Sequence, residues 1–243
     1  MFKWSGRKAD ESAAGPSSVA VSADVVSTTK VLPRFLNALA QQPTPVILDL
    51  GPVVGANVAF FGDRLSCKLY VEDLFAEVEA HARRPDRAEV PLRLAERLTQ
   101  PPGSVDGILC WDIFDYVDKP TAQALALRLS GMLRPGGALY AFFGTTAVDL
   151  SHYTRFVLDA EDTLRQRAYP ATAVRRQVLV TRDINRMFEG LVVAESVLLK
   201  SNTRETLFRK PSGVRAAAEA ASAGAARRVE AAGSPWRRRT SHC

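Results

Sequence analysis

Residues 46–55 read Val-Ile-Leu-Asp-Leu-Gly-Pro-Val-Val-Gly. A short apolar run ends in Asp49, and Gly51 and Gly55 follow before a helical stretch from Ala56 to Leu65. A buried strand that ends in a carboxylate and turns through glycine into a helix is a cofactor-binding corner, because ligands of open α/β sheets bind outside the carboxyl ends of the strands. The next apolar run, Leu69-Tyr70-Val71, also ends in acid, at Glu72 and Asp73. The order of these groups matters. A dinucleotide fingerprint places Gly-x-Gly-x-x-Gly straight after the strand and its acid about 20 residues on. Here the first acid precedes the first glycine, so the pattern argues against a nicotinamide-dependent oxidoreductase.

A third apolar run, Val105 to Trp111, ends at Asp112. An acid in that place can orient an acceptor amine or hydroxyl, or act as a base. It equally suits the N-cap of a following turn. Asp115 and Tyr116 are further candidates nearby. The histidines His81, His152 and His242 and the cysteines Cys67, Cys110 and Cys243 lack metal-ligand spacing, so no metal site is inferred. Free thiols fit a reducing cytoplasm.

The elements that must position these groups alternate. Apolar spacing predicts a helix over 28–42, ended by Pro43 and Pro45. Strand 46–50 leads to a helix at 55–64, and strand 68–71 to a helix at 74–84. Residues 89–98 read as helix, although a third strand has room nearby. Strand 105–111 precedes a helix at 119–133, a turn at Leu133-Arg134-Pro135-Gly136-Gly137, and strand 138–143. A helix at 181–188 and two extended runs, 191–199 and 203–208, finish the unit as a hairpin. Alternation of this kind predicts a parallel sheet with helices on both faces. The folded unit is expected at 28–210, after a disordered lead over 1–27 and before a disordered Ala/Arg-rich tail over 211–243.

An apolar share of 47% is ample for one core. No run of about 18 apolar residues exists to span a membrane, and the start lacks an apolar signal region. The net charge of +6 is local: from Arg204 on, nine basic residues stand against three acidic ones, and the rest is neutral. The tail is therefore a candidate for weak contact with polyanions, Arg237-Arg238-Arg239 beside Trp236 above all.

The acid-x-Gly-x-x-x-Gly order resembles the first motif of the class I S-adenosylmethionine (SAM) dependent methyltransferases, Asp-x-Gly-x-Gly-x-Gly, with Val53 in place of the middle glycine. Gly103-Ser104-Val105-Asp106 resembles the family's fourth motif, and Leu133 to Gly137 its Leu-Lys-Pro-Gly-Gly turn. The resemblance covers about 100 residues, 46–143. It implies a Rossmann-like methyltransferase fold: a mostly parallel twisted sheet finished by an antiparallel C-terminal hairpin.

It also implies SAM as cofactor and methyl transfer to an acceptor whose identity is not readable. Asp49, Gly51 and Gly55 would hold the methionine side, Glu72 the ribose hydroxyls, and Trp111 and Asp112 would face the transfer site. Glu72 also suits a helix N-terminus, and Asp73 competes for its role. The family's acid near the adenine has only Glu96 as a counterpart. Asp112-Ile113-Phe114-Asp115 departs from the Asn/Asp-Pro-Pro-Tyr of base and amide N-methyltransferases. His152-Tyr153 and the arginines of 144–180 fall where substrate-recognition insertions occur; those arginines suit either an anionic substrate or a solvated face. The alternative is a non-catalytic methyltransferase-like protein that serves regulation or protein contact.

Overall fold

A computed structural model describes residues 24–212. The elements run β1 (Val25–Thr28), α1 (Leu32–Leu39), β2 (Val46–Asp49), α2 (Gly55–Leu65), β3 (Lys68–Val71), α3 (Leu74–Ala82), α4 (Leu94–Arg97), β4 (Val105–Trp111), a 3-10 turn at Ile113–Asp115, α5 (Lys119–Met132), β5 (Leu133–Gly144), β6 (Asp149–Ala160), β7 (Thr163–Arg175), α6 (Thr181–Met187), β8 (Val192–Leu198) and β9 (Thr203–Arg209). Local chemistry starts the helices. Asp73 caps α3 by accepting from the Ala76 amide, and Asp118 caps α5 by accepting from the Thr121 amide, with a proline in the first turn.

Six strands form the main sheet in the order β3-β2-β4-β5-β9-β8. β3, β2, β4 and β5 are parallel, and β9 and β8 close the sheet as an antiparallel hairpin. This is the Rossmann-like architecture, with the antiparallel finish expected. The chain runs from β2 outward to β3, then returns past β2 to β4. The strand order therefore reverses between β2 and β4, the place where open α/β sheets bind their ligands.

The sheet alternates its side chains between two cores, as period-two geometry requires. On one face Leu48, Ile108, Leu139 and Phe143 meet Leu125 and Leu129 of α5. On the other, Ile47, Leu109, Tyr140 and Phe142 meet Phe35 and Leu39 of α1 and Phe60 and Phe61 of α2. α1 lies so close to β4 that a Cβ on Gly107 would stand 2.6 Å from a Leu39 methyl.

Several expectations are corrected. Residues 24–27 are not part of a disordered lead: Val25–Thr28 pairs antiparallel with β7, and the first helix starts at Leu32. Residues 1–23, and the basic tail from 213 on, lie outside the described residues. The helix over 89–98 shrinks to Leu94–Arg97, because Asp86 to Val90 closes a turn of its own and Pro91 has no amide to donate. The Leu133–Gly137 turn is instead the irregular start of β5, where the register against β4 slips and Gly136 takes φ +81°. The largest difference is over 144–180. Strands of 12 and 13 residues, β6 and β7, form a long hairpin that makes a second sheet, in the order β1-β7-β6.

Candidate functional site

Asp49 is buried at the end of β2. Its Oδ1 accepts from the Gly51 amide at 2.9 Å and from Trp111 Nε1 at 2.6 Å. The first bond folds the loop back on its own carboxylate. Burial pushes the Asp49 carboxyl up to about 6, against the pull of those two donors. Glu72 begins where β3 ends, and its amide donates to the Asp49 carbonyl at 2.8 Å. Two carboxylates thus stand on neighbouring strand ends, as the sequence order required.

Glu72 is half-buried and accepts from Gln100 Nε2 at 3.2 Å. Gln100 is buried, and its Oε1 has no partner. Nothing in the sequence marked Gln100; the residue offered there, as counterpart of the family's acid near the adenine, was Glu96. Glu96 is exposed and pairs with Arg93 at 3.0 Å. Asp73 turns the other way, into the first turn of α3 at 3.2 Å. It caps that helix, whereas Glu72 makes no such bond. Gly55 opens α2 with nothing near its Cβ position, and Val53 is 66% exposed.

The end of β4 is unusual. Trp111 has φ +51°, a conformation that bulky side chains rarely adopt. Such strain costs roughly 1–3 kcal/mol and collects at functional sites. The turn of the backbone carries the indole over the first loop. A Cβ on Gly51 would stand 2.8 Å from Trp111 Cδ1, so only glycine fits beneath it. The indole also stacks on Phe156 of β6, with centroids 5.0 Å apart and planes at 5°, and Phe156 stacks on Phe142 at 5.1 Å.

Asp112 follows, 8% exposed. Its Oδ2 accepts from the Tyr116 hydroxyl at 3.2 Å, and its Oδ1 has no partner. Burial, aided by the neighbouring Asp115 charge, pushes its carboxyl up to about 8. Although Asp112 precedes the 3-10 turn, its side chain makes no cap bond there. Asp115 accepts from the Gly144 amide and forms an ion pair with Arg176, each at 2.9 Å. Burial still raises its carboxyl to about 6.

The β6–β7 hairpin ties these parts together. Asn57 of α2 donates to the Phe156 carbonyl and accepts from the Leu158 amide, both at 2.9 Å. Glu79 of α3 accepts from the Thr172 amide at 2.9 Å and from its hydroxyl at 2.8 Å. Tyr153 stacks on Phe75 of α3 and on Tyr169, at 5.8 Å each. The hairpin is therefore held at both α2 and α3, the helices that follow β2 and β3. His152, one residue from Tyr153, is exposed. The hairpin arginines are largely committed: Arg165 to Asp159, Arg167 to Asp24, Arg175 to Asp149, and Arg176 to Asp115. Arg155 lies over the Tyr169 ring at 4.1 Å. Of the two readings open for these arginines, an anion-binding cluster and a solvated polar face, the pairings favour the second.

No family model matches the chain, and no curated protein sequence does. Solved structures do overlap with it. One is the Burkholderia thailandensis 1,6-didemethyltoxoflavin-N1-methyltransferase with bound 1,6-didemethyltoxoflavin and S-adenosylhomocysteine, at 14% identity and TM-score 0.45, over 75% of this chain and 78% of that one. Another is a SAM-dependent methyltransferase from Clostridium acetobutylicum, at 14% identity and TM-score 0.44, over 77% and 93%. A third is the CcbJ methyltransferase of Streptomyces caelestis, at 15% identity and TM-score 0.44, over 74% and 88%. This chain's own strand order fixes its fold as Rossmann-like.

The donor set suits SAM in one respect and opposes it in another. Glu72 offers a half-buried carboxylate, and the buried Gln100 Oε1 beside it lacks a donor. Over Gly51, however, the indole of Trp111 fills the space and holds the Asp49 carboxylate. Among the described residues no helix is long and apolar enough to cross a membrane.

Proposed function

We propose that the chain is a SAM-dependent methyltransferase, with the crevice at the ends of β2, β3 and β4 as its cofactor site. The observation that supports this most is the pair of carboxylates on adjoining parallel strands: Asp49 folds the glycine loop, and Glu72 stands free of its own helix beside it. A carboxylate accepts from two vicinal hydroxyls at once, which suits a ribose. Gly51 and Gly55 begin the loop and helix that would border the methionine portion. SAM, when bound, supplies an electrophilic methyl group on a sulfonium.

The chain's own residues do the rest. Asp112 has its carboxyl raised to about 8 and keeps one oxygen unbonded, so in its protonated form it orients an acceptor by donating a hydrogen bond, and only the fraction ionised near that pH takes the acceptor's proton. A carboxyl raised toward neutrality suits that exchange. Tyr116 fixes its other oxygen, and the Asp115–Arg176 pair holds the hairpin end against the 3-10 turn. Among the described residues Cys67 and Cys110 are free thiols, which fits a reducing, cytoplasmic setting.

The placement of Trp111 against Gly51 and Asp49 is the one observation that favours the non-catalytic alternative. Mass spectrometry of ligand co-purified with the full chain tests the cofactor, joined by calorimetric titration of SAM. Recovery of SAM or S-adenosylhomocysteine, or saturable binding, is expected. Absence of both, in the native chain and in variants that vacate the crevice, would leave only the alternative.

A further inference from the structure

We infer that Trp111 is a gate: its indole occupies the methionine end of the crevice in the resting protein and must swing away before the cofactor enters. The inference rests on the SAM reading above. Four contacts hold the closed state. Trp111 Nε1 donates to Asp49 Oδ1 at 2.6 Å. The indole lies over Gly51, close enough that a Cβ there would touch it at 2.8 Å. Its face is stacked on Phe156 at 5.0 Å. Its edge meets Tyr140 at 6.1 Å.

The group that a bound ligand's ammonium would seek, the Asp49 carboxylate, is thus satisfied from within. The backbone at Trp111 also sits in the left-handed region at φ +51°, so the closed state carries strain that a move toward ordinary backbone angles would relieve. The hairpin couples to the same step. Phe156 stacks between Trp111 and Phe142, and its backbone is gripped by Asn57. Departure of the indole uncovers one face of Phe156 and loosens the strap from the sheet below it. Occupancy of the cofactor crevice would in this way be read out in the hairpin, which borders Asp112 through Tyr116 and Arg176.

A binding-competent state that is a minor population lowers apparent affinity by its fraction. Freeing the crevice therefore raises affinity. The test compares the full chain with Trp111→Phe and Trp111→Ala in a background where Trp4 and Trp236 are replaced by phenylalanine, so that position 111 is the only tryptophan. SAM is titrated by calorimetry into all three proteins. In the first, Trp111 emission and near-ultraviolet dichroism are followed as well.

The expected result is a red shift of Trp111 emission and loss of the stacking dichroism on SAM addition. Affinity should rise by about tenfold or more in Trp111→Ala. Trp111→Phe keeps the stack but lacks the Nε1 donor, and should lie between; it decides the matter if the alanine variant does not fold. Binding of SAM by the parent with unchanged Trp111 signals, and by the variants with no gain, overturns the gate and leaves the cofactor reading standing. Failure of parent and variants alike to bind SAM removes the cofactor reading and the gate with it. Binding by the variants alone supports both.

Discussion

The two ends of β4 carry an aspartate each, and the two are treated in opposite ways. At the start of the strand, Asp106 accepts from the Val46 amide at 2.7 Å and pairs with Arg134 at 3.1 Å. Both of its oxygens are engaged, and it locks β2 and the start of β5 to the central strand. At the far end, Asp112 has one hydroxyl partner and one bare oxygen, beside a tryptophan in a strained conformation. Most buried polar groups in a fold are satisfied, and the bare Asp112 Oδ1 is among the exceptions, as are Ser130 Oγ and Glu205 Oε2. The contrast between the two ends fits the proposal that the carboxyl end carries the site and the amino end serves as scaffold.

The comparison breaks most sharply under Asp106→Ala. That change orphans the Val46 amide and leaves Arg134 without its buried partner, so stability should fall by about 2–4 kcal/mol. Urea denaturation measures it. A loss no larger than that of a surface substitution would erase the distinction between the two ends.

Next is Glu72→Ala, at the working end of β3. Loss of a charged acceptor is worth about 1.5–3 kcal/mol, so SAM affinity should drop roughly tenfold to a hundredfold. The melting transition should barely move, since the side chain is half-buried and makes one bond of 3.2 Å. Calorimetric titration beside a thermal melt separates the two effects.

Asp112→Asn sharpens the contrast through pH. The folded carboxyl is raised to about 8 from an ordinary 3.8. Between those values the folded state holds a proton that the unfolded chain has released, so stability falls as pH climbs through that window. Asparagine carries no such penalty. The variant should match the parent near pH 4 and exceed its stability, by an amount on the order of a few kcal/mol, near pH 8. Asp49 and Asp115, each raised to about 6, add a decline between pH 4 and 6 that both proteins share. Parallel stability curves for the two proteins across this range would show that Asp112 titrates normally.

The smallest effect is expected at Asp73→Ala. Removal of the α3 cap should cost about 1 kcal/mol and leave SAM affinity within a factor of about two. A large affinity loss there, with none at Glu72, would exchange their roles.

Much of this was legible in the residues. The apolar run into Asp49 and the glycine after it gave the first strand and its turn, because a buried strand end and a tight loop need those types locally. Glu72 against Asp73 was open by one register position; Asp73 caps a helix and Glu72 accepts from Gln100, which supports Glu72 for the proposed role. The β6–β7 hairpin was not legible. Its turn, at Glu161 and Asp162, carries neither glycine nor proline, and its arginines read as a solvated surface. The alternation in His152-Tyr153-Thr154-Arg155-Phe156 was the available signal. Gln100 was missed because an amide before a proline turn has no chemistry until a carboxylate 28 residues away is folded against it.

The sequence by itself determined the alternation of strands and helices, the acids at strand ends and the antiparallel finish, since each follows from local periodicity and turn chemistry. Only the tertiary structure decided that Trp111 lies over Gly51, that Asp112 keeps a bare oxygen, and that a hairpin straps the crevice to α2 and α3. Those are relations between groups about a hundred residues apart in the chain, or 62 for Trp111 and Asp49. They depend on backbone turns such as the positive φ of Trp111, which tertiary packing imposes against local preference.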